Sequence, residues 1–163
     1  MSTPSTRLAE LGLTLPGVAA PLAAYVPAVR SGELVFSSGQ LPTVQGQLLG
    51  VGKVGAKVPL DLATDCARAA ALNALAAVAA EAGGLDEVLR VVKVLVFVAS
   101  DPDFTAHAQV ANGASELLGD VFGGAGKHAR SAIGVGSLPL DAPVEVEVIV
   151  EVASKPRVQM VSA

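Results

Sequence analysis

Residues Val144–Val152 read VEVEVIVEV, and this stretch decides the fold. Valine holds every even position from Val144 to Val152, while Glu145, Glu147, Ile149 and Glu151 hold the odd ones. Successive side chains on a strand point to opposite faces, so this period of two specifies a strand with one apolar and one mostly acidic face. A helix would scatter those valines around its circumference. The apolar face needs a cover, and the rest of the chain supplies two helices that can provide it.

The first is DLATDCARAAALNALAAVAAEAGG, from Asp61 to Gly84. Pro59 precedes it, Asp61 is placed to cap it, and Gly83-Gly84 is a stop signal. Alanine covers almost every face, and such small side chains let a helix lie close on a sheet. LRVVKVLVFVAS (89–100) is rich in β-branched residues and predicts a mostly buried strand. Asp101-Pro102-Asp103 is expected to open a second helix from Phe104 to Val121, and a further strand is expected over Arg130–Val135. Nearer the start, Tyr25–Val29 and Leu34–Phe36 predict a hairpin that turns at Ser31-Gly32. GQLLGVGKVG, from Gly46, suggests another glycine-rich strand pair. Residues 1–15 carry Leu8, Leu11 and Leu15 at helical spacing, and the following GVAAPLAAYVPAV is loop-like. Strands, helix, strand, helix and strands on short connections predict one α+β domain over residues 1–163, with helices on one sheet face. Segments 1–20 and 154–163 are expected to be peripheral.

Composition narrows the function classes. Of 163 residues 52% are hydrophobic and 16% charged, so the chain folds; with four Phe, one Tyr and no Trp its core is built from Ala, Val and Leu. A chain this apolar is expected to bury part of its surface against copies of itself. A net charge of −4 and the lack of any basic run argue against a nucleic-acid partner; Lys155 and Arg157 read as a solvated tail. The single cysteine, Cys66, excludes an internal disulfide and a thiolate zinc cluster, and it fits a reducing, cytoplasmic setting. The N-terminus lacks a signal-peptide pattern, and the apolar window Val88–Ala99 is too short to span a bilayer and carries Arg90 and Lys93. The expectation is a soluble protein with no membrane partner.

Few motifs survive scrutiny. GVGKVG (50–55) matches a dinucleotide fingerprint, yet Lys57 and Pro59 intervene before the helix whose N-terminus would meet a pyrophosphate. GVGSLP at Gly134 has no helix after it at all. His107 and His128 match no compact metal spacing; His107 is expected on an exposed helix face and His128 in a loop. Cys66 reads as a packing residue, and no elbow motif points to a serine nucleophile. Arg130 and Glu145 remain. An arginine at a strand edge can grip a carboxylate with two parallel hydrogen bonds, and a glutamate on a nearby strand can hold a water or act as general base. An exposed strand-edge salt bridge, beside a solvated face of Glu145, Glu147 and Glu151, explains the same spacing.

HARSAIGVGSLPLDAPVEVEVIVEV, from His128, resembles the C-terminal signature of the Rid (YjgF) family, whose best-known members are imine/enamine deaminases. The resemblance extends over Tyr25-Val26, SSGQLP from Ser37, the Ala-rich helix, KVLVFVAS and NGASELL from Asn112, and it is similar in detail to a longer, less characterised branch. It implies a chorismate-mutase-like α+β fold, a homotrimer with a central β-barrel, and ligand clefts between subunits. It further implies that Arg130 clamps a substrate carboxylate, Glu145 positions the hydrolytic water, and Tyr25, Gly39 and Asn112 line the pocket. Ala132 stands where many deaminases carry a cysteine whose backbone N–H helps hold the carboxylate, and the stretch from Phe104 to Asn112 is longer than usual. The implied activity converts 2-imino or enamino acids to 2-keto acids and ammonia without metal or organic cofactor. A non-catalytic member that only binds small carboxylates is the alternative.

Overall fold

The computed structural model describes residues 2–18 and 24–154. The expected tail with Lys155 and Arg157, and the part of the expected loop around Pro21, lie outside the described residues. The chain runs α1 (Pro4–Glu10), β1 (Ala28–Ser31), β2 (Leu34–Ser37), β3 (Thr43–Val44), β4 (Gln47–Leu48), α2 (Leu60–Ala82), β5 (Val88–Ala99), α3 (His107–Phe122), β6 (Ala129–Val135) and β7 (Val144–Val152). Five strands form one mixed sheet in the order β1-β2-β7-β5-β6, and β3-β4 is a separate small hairpin. Only β5 and β6 run parallel, with α3 as the crossover between them.

The valine ladder behaves as its period requires. Val144, Val146, Val148, Val150 and Val152 are fully buried, each stabilising the fold by about 1.5–3 kcal/mol. They share their core with Val94, Val96 and Val98 of β5 and with the α2 alanines, Ala63 to Ala79. α2 and α3 therefore lie on one face of the sheet, as expected. By length and composition α2 is the one described helix that could cross a membrane, yet its alanines are packed inside this fold. On the opposite face Phe36, Leu95, Phe97 and Ile149 are half-buried, and Ile133 is 44% exposed.

Several element ends differ from expectation, each for a local reason. Pro59, not Asp61, is the N-cap of α2; Asp61 sits inside the first turn, where its Oδ1 accepts from Leu62 N–H at 2.8 Å and its charge suits the helix dipole. Gly83 ends α2 in the left-handed region at φ 99°, as the Gly-Gly stop implies. α3 starts at His107 rather than Phe104, because Asp101 closes a turn first: its Oδ1 accepts from Asp103 N–H at 3.1 Å and its carbonyl from Phe104 N–H at 3.0 Å. The first hairpin turns at Gly32-Glu33 with Ser31 still paired to Leu34, and β1 begins at Ala28, leaving Tyr25 in a bend. The glycine-rich pair expected within residues 46–55 does not form: only β4 falls there, it pairs with the upstream β3, and Val54 makes isolated bridges to Val58 and Ser100. Of the N-terminal leucines Leu8 alone is buried, since α1 stops at Glu10 and Leu11 is left 40% exposed.

Candidate functional site

β6 is an edge strand, and Arg130 occupies its second position, level with Val94 of β5. Val94 faces the helices, so Arg130 does too, and its guanidinium runs under α3. Nη1 donates to Asn112 Oδ1 at 2.9 Å and to Ser115 Oγ at 3.0 Å, and Nη2 donates to the Ala108 carbonyl at 3.3 Å. Asn112, Ser115 and Ala108 sit at helical spacings of three and four, so one face of α3 presents all three acceptors. Among the described residues every one of these acceptors is neutral, and the one ion pair joins Arg68 to Asp120. The strand-edge salt bridge considered for Arg130 is therefore not what is found. Three of the five N–H donors of the guanidinium are engaged; those left include Nε–H, on the edge that can meet a carboxylate as a fork.

Asn112 thus joins Arg130, and Ala132 follows two residues along the same face of β6. Ser115 was not foreseen, whereas His128 lies in the loop before β6, as expected. His128 Nδ1 lies 2.6 Å from the Gly126 carbonyl and its Nε2 lies 3.0 Å from Ser115 Oγ. The HAR spelling put His128 two residues from Arg130, but only the packing of α3 on β6 reveals Ser115 between them.

Glu145 belongs to a second group. It lies level with Phe97 of β5, on the face opposite the helices. Gly39 is beside it: Gln40 pairs with Val146, and a Cβ built on Gly39 would fall 1.7 Å from Glu145 Oε1. The missing side chain at Gly39 is what lets the carboxylate lie across that turn. Ser38 ties the turn to the segment carrying Tyr25, donating Oγ–H to the Val26 carbonyl at 2.6 Å and N–H to the Pro27 carbonyl at 2.8 Å. Burial pushes the Glu145 carboxyl above the usual glutamate range, and the neighbouring Glu147 charge pushes it further; burial raises Glu147 as well. The acidic face is half-buried, not freely solvated.

The remaining candidates make no side-chain hydrogen bond to either group. His107 is not on the exposed face of its helix: Nε2 is 3.1 Å from Ser100 Oγ, and the ring meets Phe104 edge-on at 5.3 Å. It helps line a cleft of about 310 Å³ with Lys53, Asp101 and Gly136. Cys66 is fully buried and its thiol is pushed up to about 11, first by burial and then by Asp65, which suits packing and not attack. Among the described residues no group of histidine, cysteine and carboxylate side chains could hold a metal ion.

Comparison with known proteins places this geometry in context. Residues 5–152 match the family described as "YjgF/chorismate mutase-like, putative endoribonuclease". Protein TCP17 of Trypanosoma cruzi is 45% identical over 148 residues, covering 90% of this chain and 92% of its own. The Agrobacterium tumefaciens protein Atu1372, of unknown function, is 45% identical with a TM-score of 0.85 over 92% of each chain. E. coli TdcF, solved with bound serine, is 26% identical with a TM-score of 0.59, over 85% of this chain and 93% of that one.

Proposed function

The chain belongs to the YjgF/chorismate mutase-like family, and we propose that within it this protein hydrolyses 2-imino or enamino acids to 2-keto acids and ammonia. The observation that carries the reading is the Arg130 guanidinium, held by three neutral acceptors with its charge uncompensated. A cation so oriented suits a small carboxylate, since two parallel N–H···O bonds fix both position and plane. The serine bound to TdcF, a relative of the same fold, supports a ligand of that size bearing a carboxylate.

The substrate carboxylate docks on Arg130, with the backbone N–H of Ala132 as a further donor. Glu145 holds a water and takes its proton as the oxygen adds to the imine carbon; the nitrogen gains protons and leaves as ammonia, and a carbonyl remains. A carboxylate whose proton affinity is raised by burial is better suited to accept that proton. These steps call on no metal or organic cofactor. Because Arg130 and Glu145 face opposite ways, the reading sets each site in a cleft between two subunits of a homotrimer. The half-buried apolar residues of the open sheet face then line a central barrel. RNA cleavage, named in the family description, fits less well, with 11 Lys and Arg against 15 Asp and Glu.

The test is an assay in which an amino acid oxidase generates 2-imino acids in situ. Wild type accelerates ammonia release. Arg130→Ala loses at least about 10- to 100-fold of that acceleration while keeping its assembly state, the scale expected for a charge-assisted bond. An Arg130-dependent rise in melting temperature with 2-keto acids but no turnover would favour the non-catalytic carboxylate binder. Full activity in Arg130→Ala would refute both readings.

A further inference from the structure

We propose that His128 is a positioning residue for Arg130, acting through Ser115: the imidazole turns the serine hydroxyl so that its oxygen, not its hydrogen, faces the guanidinium. For what Arg130 holds, this rests on the imino-acid reading; the geometry stands apart from it.

The hydrogen-bond directions follow from what each group can do. The Gly126 carbonyl can only accept, so His128 Nδ1, 2.6 Å away, carries the ring proton. In the neutral ring Nε2 is then a bare acceptor, 3.0 Å from Ser115 Oγ. Serine has one hydroxyl hydrogen, and giving it to Nε2 leaves the oxygen lone pairs for Arg130 Nη1 at 3.0 Å. Without Nε2 that hydrogen has a rival partner. A serine inside a helix bonds readily to the carbonyl four residues back, here Ala111. The hydroxyl would then rotate, and its lone pairs would no longer be set for Nη1.

The anchor of this chain is itself fixed. Gly126 is buried, and a Cβ built on it would fall 2.3 Å from the Leu118 carbonyl oxygen, so the turn after α3 is pressed onto the helix backbone. Turn, helix and edge strand are thereby joined through Gly126, His128, Ser115 and Arg130. His128 bonds to Ser115 and Gly126 and not to Arg130 itself, so its effect belongs to binding rather than to the chemical step.

The test uses the full-length chain with His128→Phe, which keeps ring volume but no nitrogen, and His128→Gln, which keeps an acceptor. Ser115→Ala and the Ser115→Ala/His128→Phe double variant complete a cycle. Readouts are kcat and KM in the imino-acid assay, the Kd of pyruvate as a carboxylate probe, and the crystal structure of ligand-free His128→Phe. The expected result is KM and Kd raised about five- to tenfold in His128→Phe with kcat changed less, and near-recovery in His128→Gln. Ser115→Ala should match His128→Phe, with the double variant no worse than either. Multiplying effects in the double variant, or Gln as poor as Phe, would overturn the proposal. If wild type neither turns over nor binds pyruvate, the imino-acid reading fails, and the crystal structure alone decides: Arg130 released from Ser115 supports positioning, Arg130 unmoved refutes it. Should His128→Phe not fold, Ser115→Ala against His128→Gln carries the same decision, a loss confined to the serine variant being the supporting result.

Discussion

Arg130 and Glu145 flank β5 on either side and point to opposite faces of one sheet. Arg130 shares its face with Val94 beneath α3, and Glu145 shares its face with Phe97 on the side without helices. No side-chain rotation within one chain brings them together. A site that uses both must draw them from two copies, and this makes a sharp prediction. Arg130→Ala and Glu145→Gln each lose most of the turnover alone, about 10- to 100-fold. Mixing the two impaired proteins under subunit exchange should restore roughly a quarter of wild-type activity, the share of clefts that randomly pair an intact arginine with an intact glutamate. No recovery in demonstrated mixed assemblies would mean that no cleft combines the two residues, and the shared site would be refuted.

Gly39 offers a test of Glu145 alone. The nearest atom to an added methyl is Glu145 Oε1, at 1.7 Å, and the next are Cδ and Cγ of the same side chain. Gly39→Ala therefore acts first on the Glu145 carboxylate, a side chain that can swing aside. The expected outcome is a fall in kcat on the order of 10- to 100-fold, as for a misplaced catalytic group, with KM and melting temperature little changed. Steady-state kinetics beside a thermal melt check it; an equal loss in KM would mean that the turn shapes binding instead.

The pair Glu145 and Glu147 predicts a pH dependence. Both carboxyls are held above the ordinary glutamate value, Glu145 by burial and then by the Glu147 charge. A raised folded value means that the folded chain holds these protons more tightly than the unfolded one. The stabilisation is complete below the ordinary glutamate range and is lost as pH rises through the raised values. Glu147→Gln removes one ionisation and one repulsive charge. Stability at neutral pH should rise, and the acid limb of kcat/KM, set by Glu145, should move to lower pH. Denaturant melts and a pH–rate profile measure the two effects, and a limb that moves upward would contradict the assignment.

These residues also show how far the sequence could be read. VEVEVIVEV carried its own answer, because period two admits one conformation and its valines do fill the core. The Ala-rich helix was legible from its length and its Gly83 stop. Helix starts were misread where a short side chain chose a different backbone partner: Asp101 closes a turn, which delays α3 to His107. In the site, Arg130 and Glu145 were candidates by residue type and strand position, with a plain salt bridge left open, and Asn112 and Gly39 came from a resemblance between motifs, while their division into two opposite groups needed the sheet register. Ser115 and His107 were missed for a common reason. Each is fixed by a contact between α3 and the end or flank of the sheet, and helical spacing within one element says nothing about what that element covers.

The distance between α2 and α3 sets where those α3 acceptors lie, and Gly113 controls it. A Cβ at Gly113 would fall 2.0 Å from the Thr64 carbonyl oxygen of α2, a backbone atom that cannot swing aside. Gly113→Ala must push the helices apart, at a cost of about 1–3 kcal/mol for overpacking. In a chain of this size that lowers Tm by roughly 2–4 °C per kcal/mol. Because Asn112 precedes Gly113 and accepts from Arg130, the same displacement loosens the guanidinium, so KM should rise alongside the loss of stability. Thr64→Ala should not rescue the variant, since the clash is with the main chain rather than the threonine side chain. Calorimetry and kinetics on the single and double variants test this together. An unchanged Tm in Gly113→Ala would mean that the helices are not in contact at that point.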